Sequence, residues 1–336
     1  MAIRELWAQL CGWEAVSVLQ SPSRGKVYRK ADVLRCAATG NKYHIVNGTA
    51  RLYDETDVSP FLARDYHLFK AAFDIAEEPS PEYAQAIKAY EMAKKLNTEF
   101  LFSHLHYDGA PGRNVLEIGV GNARLISRFA DLGFNAFALD YFAFEMDRAY
   151  EAHVAAGGRS FERVAAPMSR LPFKDSSLDI VYMHAALHHS LPNDPREFRW
   201  SDPTNMKDSL KEIRRVLRPD GAFFLLGEGV YPDAIVDRYW EAACQKNDRV
   251  VYESWYTLSE YEAAFEQAGI FPTLWVDQEN HRARVIHWLP DGQRCQTVHF
   301  EDGVTLDEYH RLLPAVVWEA SVLPPWIKER PTLTLG

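Results

Sequence analysis

Glu117, Gly119 and Gly121 occupy alternate positions in the stretch NVLEIGVGNARLISRFADLGF, residues 114–134. An acid and two glycines so spaced suit a turn that lets a ligand approach bare backbone, because glycine has no Cβ. Asp140 follows the glycines by about 20 residues, the distance at which a nucleotide-binding strand offers a carboxylate to ribose hydroxyls. A carboxylate can accept from both hydroxyls, or else Asp140 caps the helix that follows; the neighbouring Tyr141 could pack on a purine. The third group is imidazole: His184, His188 and His189. Imidazole titrates near neutral pH, so it suits a general base. The three histidines could also suggest a metal site, but no acidic cluster accompanies them in sequence.

These groups need elements to hold them. Val115, Leu116 and Ile118 read as a short buried strand leading into the glycine turn. Leu125, Phe129 and Leu132 recur at helical spacing behind it, and Gly133 suits the position just past the helix end. A nicotinamide fingerprint would need a third glycine at position 124, which is Arg124. Phe137, Ala138 and Leu139 read as a second strand ending at Asp140. In RLPFKDSSLDIVYMHAALHHS, residues Leu178, Asp179 and Val181 open another strand, whose end is His184. In MKDSLKEIRRVLRPDGAFFLLGE, residues Met206, Leu210, Ile213 and Leu217 line a helix face. Pro219-Asp220-Gly221 then turns the chain into a strand over 222–226. Strands alternating with helices imply an open α/β sheet, whose ligands bind at the carboxyl edge.

The acid-x-Gly-x-Gly turn resembles the first motif of class I S-adenosylmethionine (SAM) methyltransferases. The run Leu171-Pro172-Phe173, followed by Leu178-Asp179-x-Val181 and Leu187-His188-His189, resembles the ubiquinone- and menaquinone-biosynthesis group of that family. The R-V-L-x-P-x-G unit before the last strand is characteristic of the same group, and the likeness spans residues 113–228. It implies a Rossmann-like, seven-stranded sheet with helices on both faces and SAM as cofactor. Carried over by position, the cofactor-binding residues are Glu117, Gly119, Gly121, Asp140, Tyr141, Met168 and His184. His188 and His189 are the candidates for a catalytic base, or else they shape the cofactor pocket without moving protons. No metal is implied. SAM carries an amino acid whose ammonium favours an acidic neighbour, which gives Glu117 its expected role. Two departures stand out. Ala123 replaces a usual glycine, and Pro167 replaces the acid that binds the adenine amino group, leaving the Met168 N–H to meet the ring.

The flanks carry less chemistry. DVLRCAATGNKYHIVNGTARLYD resembles the second half of a zinc ribbon found ahead of some bacterial methyltransferase domains: Gly40, Tyr43, Ile45, Gly48 and Leu52 fit it. The ligands do not, because Cys36 is followed three residues later by Thr39 and Cys11 has no partner at C-x-x-C spacing. Residues 1–58 therefore read as a small β-rich ribbon without its metal. Helical cover follows over 59–112, where Ser80-Pro81-Glu82 opens a helix, and the methyltransferase domain runs over 113–290 with an insertion at about 229–256. Thr257-x-x-Glu260 reads as a capping box opening a helix that Gly269 closes. Tyr231, Tyr239, Trp240, Trp255 and Tyr256 either line an apolar acceptor pocket or pack the core. Two last strands are expected near 271–277 and 283–289, and 291–336 is an extension.

Composition frames the reading. Hydrophobic residues make up 47% and charged residues 25% of 336, an ordinary globular balance. No apolar run is long enough to span a membrane, and the Arg4-Glu5 start does not read as a signal peptide. Four scattered cysteines suggest reduced thiols in a cytoplasmic protein. A net charge of −10 argues against a general polyanion binder. The local exception is the stretch from Arg24 to Arg51, with seven Lys or Arg and one acid, Asp32. The expected function is methyl transfer to a small, partly apolar or aromatic molecule in specialised or cofactor metabolism. The alternatives are RNA methylation through the basic ribbon, or a SAM-fold binding protein without transfer activity. The oligomeric state is open.

Overall fold

The computed structural model describes residues 14–20, 24, 26–52, 94–95, 98–99, 102, 105–191, 202–226, 228, 230–231, 254, 256–270, 274–275, 317–318 and 327–329. The helix start at residue 80, the aromatics Tyr239, Trp240 and Trp255, the strand near 283–289 and Cys11, Cys244 and Cys295 lie outside them.

An N-terminal meander comprises β1 (Glu14–Gln20), β2 (Lys26–Lys30), β3 (Val33–Cys36), β4 (Lys42–Val46) and β5 (Thr49–Arg51). After β6 (Leu105–Tyr107) come β7 (Asn114–Ile118), α1 (Arg124–Asp131), β8 (Asn135–Asp140), α2 (Ala143–Ala155) and β9 (Glu162–Ala165). The second half holds β10 (Leu178–His184), α3 (Lys207–Val216) and β11 (Leu217–Leu226). Then follow β12 (Val230–Tyr231), β13 (Tyr256–Thr257), α4 (Leu258–Gln267), β14 (Leu274–Trp275), β15 (Val317–Trp318) and β16 (Ile327–Glu329).

The main sheet has the order β1-β2-β3-β4-β5-β9-β8-β7-β10-β11. From β5 to β11 every pairing is parallel, which is the Rossmann-like core that the strand–helix alternation implies. Side chains alternate between two covered faces. Val115, Ala136, Ala138, Ile180 and Tyr182 pack with Leu125, Ile126 and Phe129 of α1. Leu116, Leu139, Val181 and Met183 pack with Leu210 and Ile213 of α3 and Phe265 of α4. Local stop signals act as expected. Gly133 (φ 95°) ends α1, with the Phe134 N–H returning to the Phe129 carbonyl. Leu132 differs: it falls on the helix cap, is 48% exposed, and leaves the buried face to Ile126 and Ala130. α4 opens with the full Thr257–Glu260 capping box. The Pro219-Asp220-Gly221 turn is a bulge inside β11: Leu217 pairs with Leu178, and the next pair is Ala222 with Ile180.

Seven strands and a separate N-terminal ribbon are the sequence expectation; among the described residues the main sheet runs through ten. β5 lies parallel to β9 with Ala50 opposite Val164, so the meander continues the sheet. A second seam forms where Leu19 bridges Phe173, the Gln20 N–H reaches the Pro172 carbonyl and the Lys174 N–H reaches the Val18 carbonyl. Leu34, Cys36, Tyr43, Ile45 and Leu52 share one core with the central strands. The Cys36–Thr39 turn is held by the Thr39 N–H on Cys36 Sγ at 3.4 Å. Arg163 of β9 locks the seam: its guanidinium binds the Asp147 carboxylate (2.6 Å) and the Asn47 carbonyl (2.7 Å), and Thr49 donates to the same Asp147 oxygen. Of the expected last strands, Leu274–Trp275 exists but pairs with Val317–Trp318 outside this sheet. No helix among the described residues is long and apolar enough to cross a membrane.

Candidate functional site

The strand order reverses between β7 and β10, and the loops after these two strands meet there. Gly119 (φ 74°) sits where a Cβ would collide with Ala186 Cβ, so only glycine lets the β7 and β10 loops close on each other. Its N–H donates to the Leu139 carbonyl of β8 (2.9 Å). Gly121 also has positive φ (50°). Ala123 takes a left-handed conformation too (φ 54°) and immediately precedes α1.

Glu117 is 1% exposed at the end of β7. One carboxylate oxygen accepts from the Ile126 N–H in the first turn of α1 (2.8 Å), supplying the cap that Ala123 cannot. The other, Oε1, is buried and has no hydrogen-bond partner among the described residues. Burial pushes the Glu117 carboxyl up to about 7, against the pull of Lys94 and the Ile126 N–H; Asp140 adds to the rise. Asp140 accepts from the Phe142 N–H (2.9 Å). Burial raises its carboxyl, while the N–H groups of Phe142, Gly121 and Val120 and the charge of Lys94 oppose the rise. Asp140 does not cap α2, whose cap position is Phe142. Tyr141 follows half-buried, its ring edge-on to Phe142 with centroids 5.4 Å apart.

On the other side of the reversal, β10 ends at His184 and a single 3₁₀ turn holds Leu187, His188 and His189. His184 is 3% exposed, and burial lowers it to about 3, with Lys94 adding to the fall and Glu228 opposing it. It is therefore neutral at physiological pH. His188 Nδ1 lies 2.8 Å from Glu228 Oε2, and the two imidazoles of His188 and His189 have centroids 4.0 Å apart. Glu228 is 1% exposed just past β11, and it is a residue that pattern reading missed. Its Oε1 accepts from the Ala186 and Leu187 N–H groups (both 2.6 Å) and its Oε2 also from Tyr261 (3.2 Å). Burial alone would raise its carboxyl, but the His188 charge and hydrogen bond, with the Leu187 and Ala186 amides, hold it below the usual range. A carboxylate on Nδ1 fixes the tautomer in which Nε2 carries the basic lone pair. Met168 reaches this loop through a Ser190 Oγ contact to its sulfur (3.4 Å).

The structure thus brings Glu117, Gly119, Gly121, Asp140 and His184 around one junction, with His188 and His189 on the facing loop. Lys94, in helical backbone ahead of β6, joins them: it is 1% exposed and its ammonium donates to the Val120 carbonyl at 3.0 Å. Nothing in its neighbourhood, AKKL, distinguishes it from a solvated lysine. Tyr256 belongs to the core, 0% exposed and edge-on to Tyr261 with centroids 5.4 Å apart. Among the described residues no group of three or more His, Cys, Asp or Glu could hold a metal ion.

Residues 116–225 match the family model of the methyltransferase domain. The matched segment begins inside β7 and ends inside β11, so it contains the glycine turn and the histidine loop. Over 131 residues the chain is 30% identical to an uncharacterised chloroplastic methyltransferase of Arabidopsis thaliana, covering 37% of this chain and 34% of that protein. It is 27% identical over 188 residues to a malonyl-[acyl-carrier protein] O-methyltransferase of Geobacter sulfurreducens, covering 54% of this chain and 64% of the relative. The chain therefore spans about a third of the first relative's length and under two-thirds of the second's. Solved structures similar to the chain include geranyl diphosphate C-methyltransferase from Streptomyces coelicolor (TM-score 0.40, 16% identity, 54% of this chain, 60% of that one). Another is a SAM-dependent methyltransferase from Methanosarcina mazei (TM-score 0.39, 18% identity, 58% and 92%).

Proposed function

We propose that the chain is a SAM-dependent methyltransferase for a small, partly apolar acceptor, in which His188, oriented by Glu228, takes the acceptor's proton. The observation that carries the reading is the His188–Glu228 pair set directly across the strand reversal from the glycine turn. The residues present suit a nucleoside that carries an amino acid. Gly119 lets the β7 and β10 loops close beside the turn, Asp140 stands at the strand end for ribose hydroxyls, and Glu117 holds a buried oxygen, unpartnered among the described residues, for an ammonium. SAM, when bound, supplies an electrophilic methyl group on sulfur. The protein's part is then to orient the acceptor, exclude water and remove a proton. Glu228 keeps Nδ1 protonated so that Nε2 faces the task as a base, and His189 packs against the ring. His184, neutral and buried, shapes the pocket without carrying charge. Placement in the ubiquinone- and menaquinone-biosynthesis group, and with it a role in small-molecule biosynthesis, rests on the L-P-F and L-H-H motifs.

Titration calorimetry with SAM, S-adenosylhomocysteine and NAD tests the cofactor assignment. The two adenosyl compounds should bind and NAD should not. Transfer of labelled methyl to a panel of hydroxylated and amino acceptors then tests the reaction. A second reading, RNA as acceptor, draws on Arg29, Lys30 and Lys42, which are exposed on the meander. Steeply salt-dependent RNA binding would select it.

A further inference from the structure

We infer that Lys94 is the anchor for the carboxylate at the amino-acid end of the methyl donor, an assignment that rests on the cofactor reading above. A lysine ammonium has three N–H donors, and a buried one must spend them on acceptors or an opposite charge. Lys94 is 1% exposed, yet among the described residues its ammonium has a single hydrogen-bond partner, the Val120 carbonyl at 3.0 Å. Glu117 and Asp140 feel its charge, but among the described residues neither accepts a hydrogen bond from it: Glu117 accepts from Ile126, Asp140 from Phe142, and His184 is neutral.

Position adds to this. The Lys94 nitrogen stands 3.4 Å from where a Cβ at Gly121 would be, so it lies against the glycine turn and not behind the sheet. Its backbone is fixed by Thr98, whose hydroxyl donates to the Lys94 carbonyl at 2.8 Å. Among the described residues, an ammonium with one acceptor and a carboxylate oxygen without a donor, on Lys94 and Glu117, thus flank one turn. That is the complement of a zwitterion: an α-amino acid carries a carboxylate and an ammonium on adjacent atoms. Asp140, on the neighbouring strand, attends to the nucleoside part.

Methylthioadenosine keeps the adenosine and thioether of the donor but has no amino-acid end, so it separates anchoring from folding. Binding of S-adenosylhomocysteine and of methylthioadenosine to the full chain would be compared by calorimetry for wild type, Lys94→Met and Lys94→Arg. Lys94→Met should weaken S-adenosylhomocysteine by about tenfold or more, as loss of a hydrogen bond to a charged group does. Methylthioadenosine should be within about twofold of wild type, and Lys94→Arg should recover part of the loss. An equal loss for both ligands would make Lys94 a structural residue and overturn the assignment. Unchanged or tighter S-adenosylhomocysteine binding in Lys94→Met would overturn it as well, by showing that the lysine fills the site. If wild type binds neither compound, the cofactor reading itself fails and takes the anchor with it.

Discussion

Glu117 has two oxygens in different surroundings: one caps α1 and the other is buried without a hydrogen-bond partner among the described residues. Its carboxyl stands at about 7 in the folded chain against an ordinary 4.5. A raised carboxyl favours the folded state while it is protonated. That stability is complete below about pH 4.5 and is lost as pH rises through 7, by on the order of 3 kcal/mol. Urea unfolding of wild type and Glu117→Gln across pH 5–8 should therefore show a gap that shifts in the variant's favour as pH rises; a constant gap would contradict the buried protonated carboxyl. A cation placed beside Oε1 would favour ionisation, so ligand binding near pH 6.5 should release a proton, visible as a binding heat that depends on the buffer's ionisation enthalpy. The dyad gives a second prediction. His188→Ala should lower kcat by about a hundred- to ten-thousand-fold with cofactor affinity nearly unchanged. Glu228→Gln should also lower kcat and shift the pH dependence of kcat/KM, because the imidazole loses the carboxylate that stabilises its charged form. Asp140→Ala should weaken SAM by about 1–3 kcal/mol in calorimetry, as loss of a charge-assisted ribose contact would; unchanged affinity would remove Asp140 from the site.

Elements tell which parts of this architecture are readable from a chain. The end of α1 at Gly133 and the opening of α4 at Thr257 are local events, decided by residues a few positions apart, and both stand where their residues put them. The β7 glycine turn is readable for the same reason. Glu228 carries no local signal, because its partner lies 40 residues away on another loop. Lys94 carried no local signal, since burial of a lysine is decided by what folds over it. The pairing of β5 with β9 was equally hidden: a parallel match between distant strands leaves no spacing to detect. Ala123 shows a rule broken at element scale. A non-glycine residue in a left-handed conformation costs about 1–2 kcal/mol, and it stands at the entry to α1. Ala123→Gly should stabilise the protein by about 0.5–1 kcal/mol, a rise of about 1–3 °C in Tm by calorimetry, while retaining cofactor affinity. A fall in Tm would mean that the buried methyl contributes more than the strain removes.

At the scale of the whole molecule, the meander and the parallel strands form one sheet and share the core on one of its faces. Arg163 and Asp147 are both nearly buried at the seam, so Arg163→Met would strand a carboxylate beside Thr49. The expected loss is about 3 kcal/mol of unfolding free energy. It should appear as a lower midpoint of a single transition followed by both circular dichroism and tryptophan fluorescence. Two separated transitions would instead show that the meander melts on its own.

The same seam bears on how the chain is made. The Asn47 carbonyl and the Arg163 guanidinium that bonds to it are 116 residues apart, which at ribosomal rates is a wait of roughly 5–25 s. During that interval β5 has emerged without its neighbour β9, and Leu34, Tyr43 and Ile45 have been synthesised without the central strands that cover them. The strands translated first are thus among the last to be completed. Until then they present a bare strand edge and an apolar face to the cell, the kind of surface that nascent-chain chaperones bind.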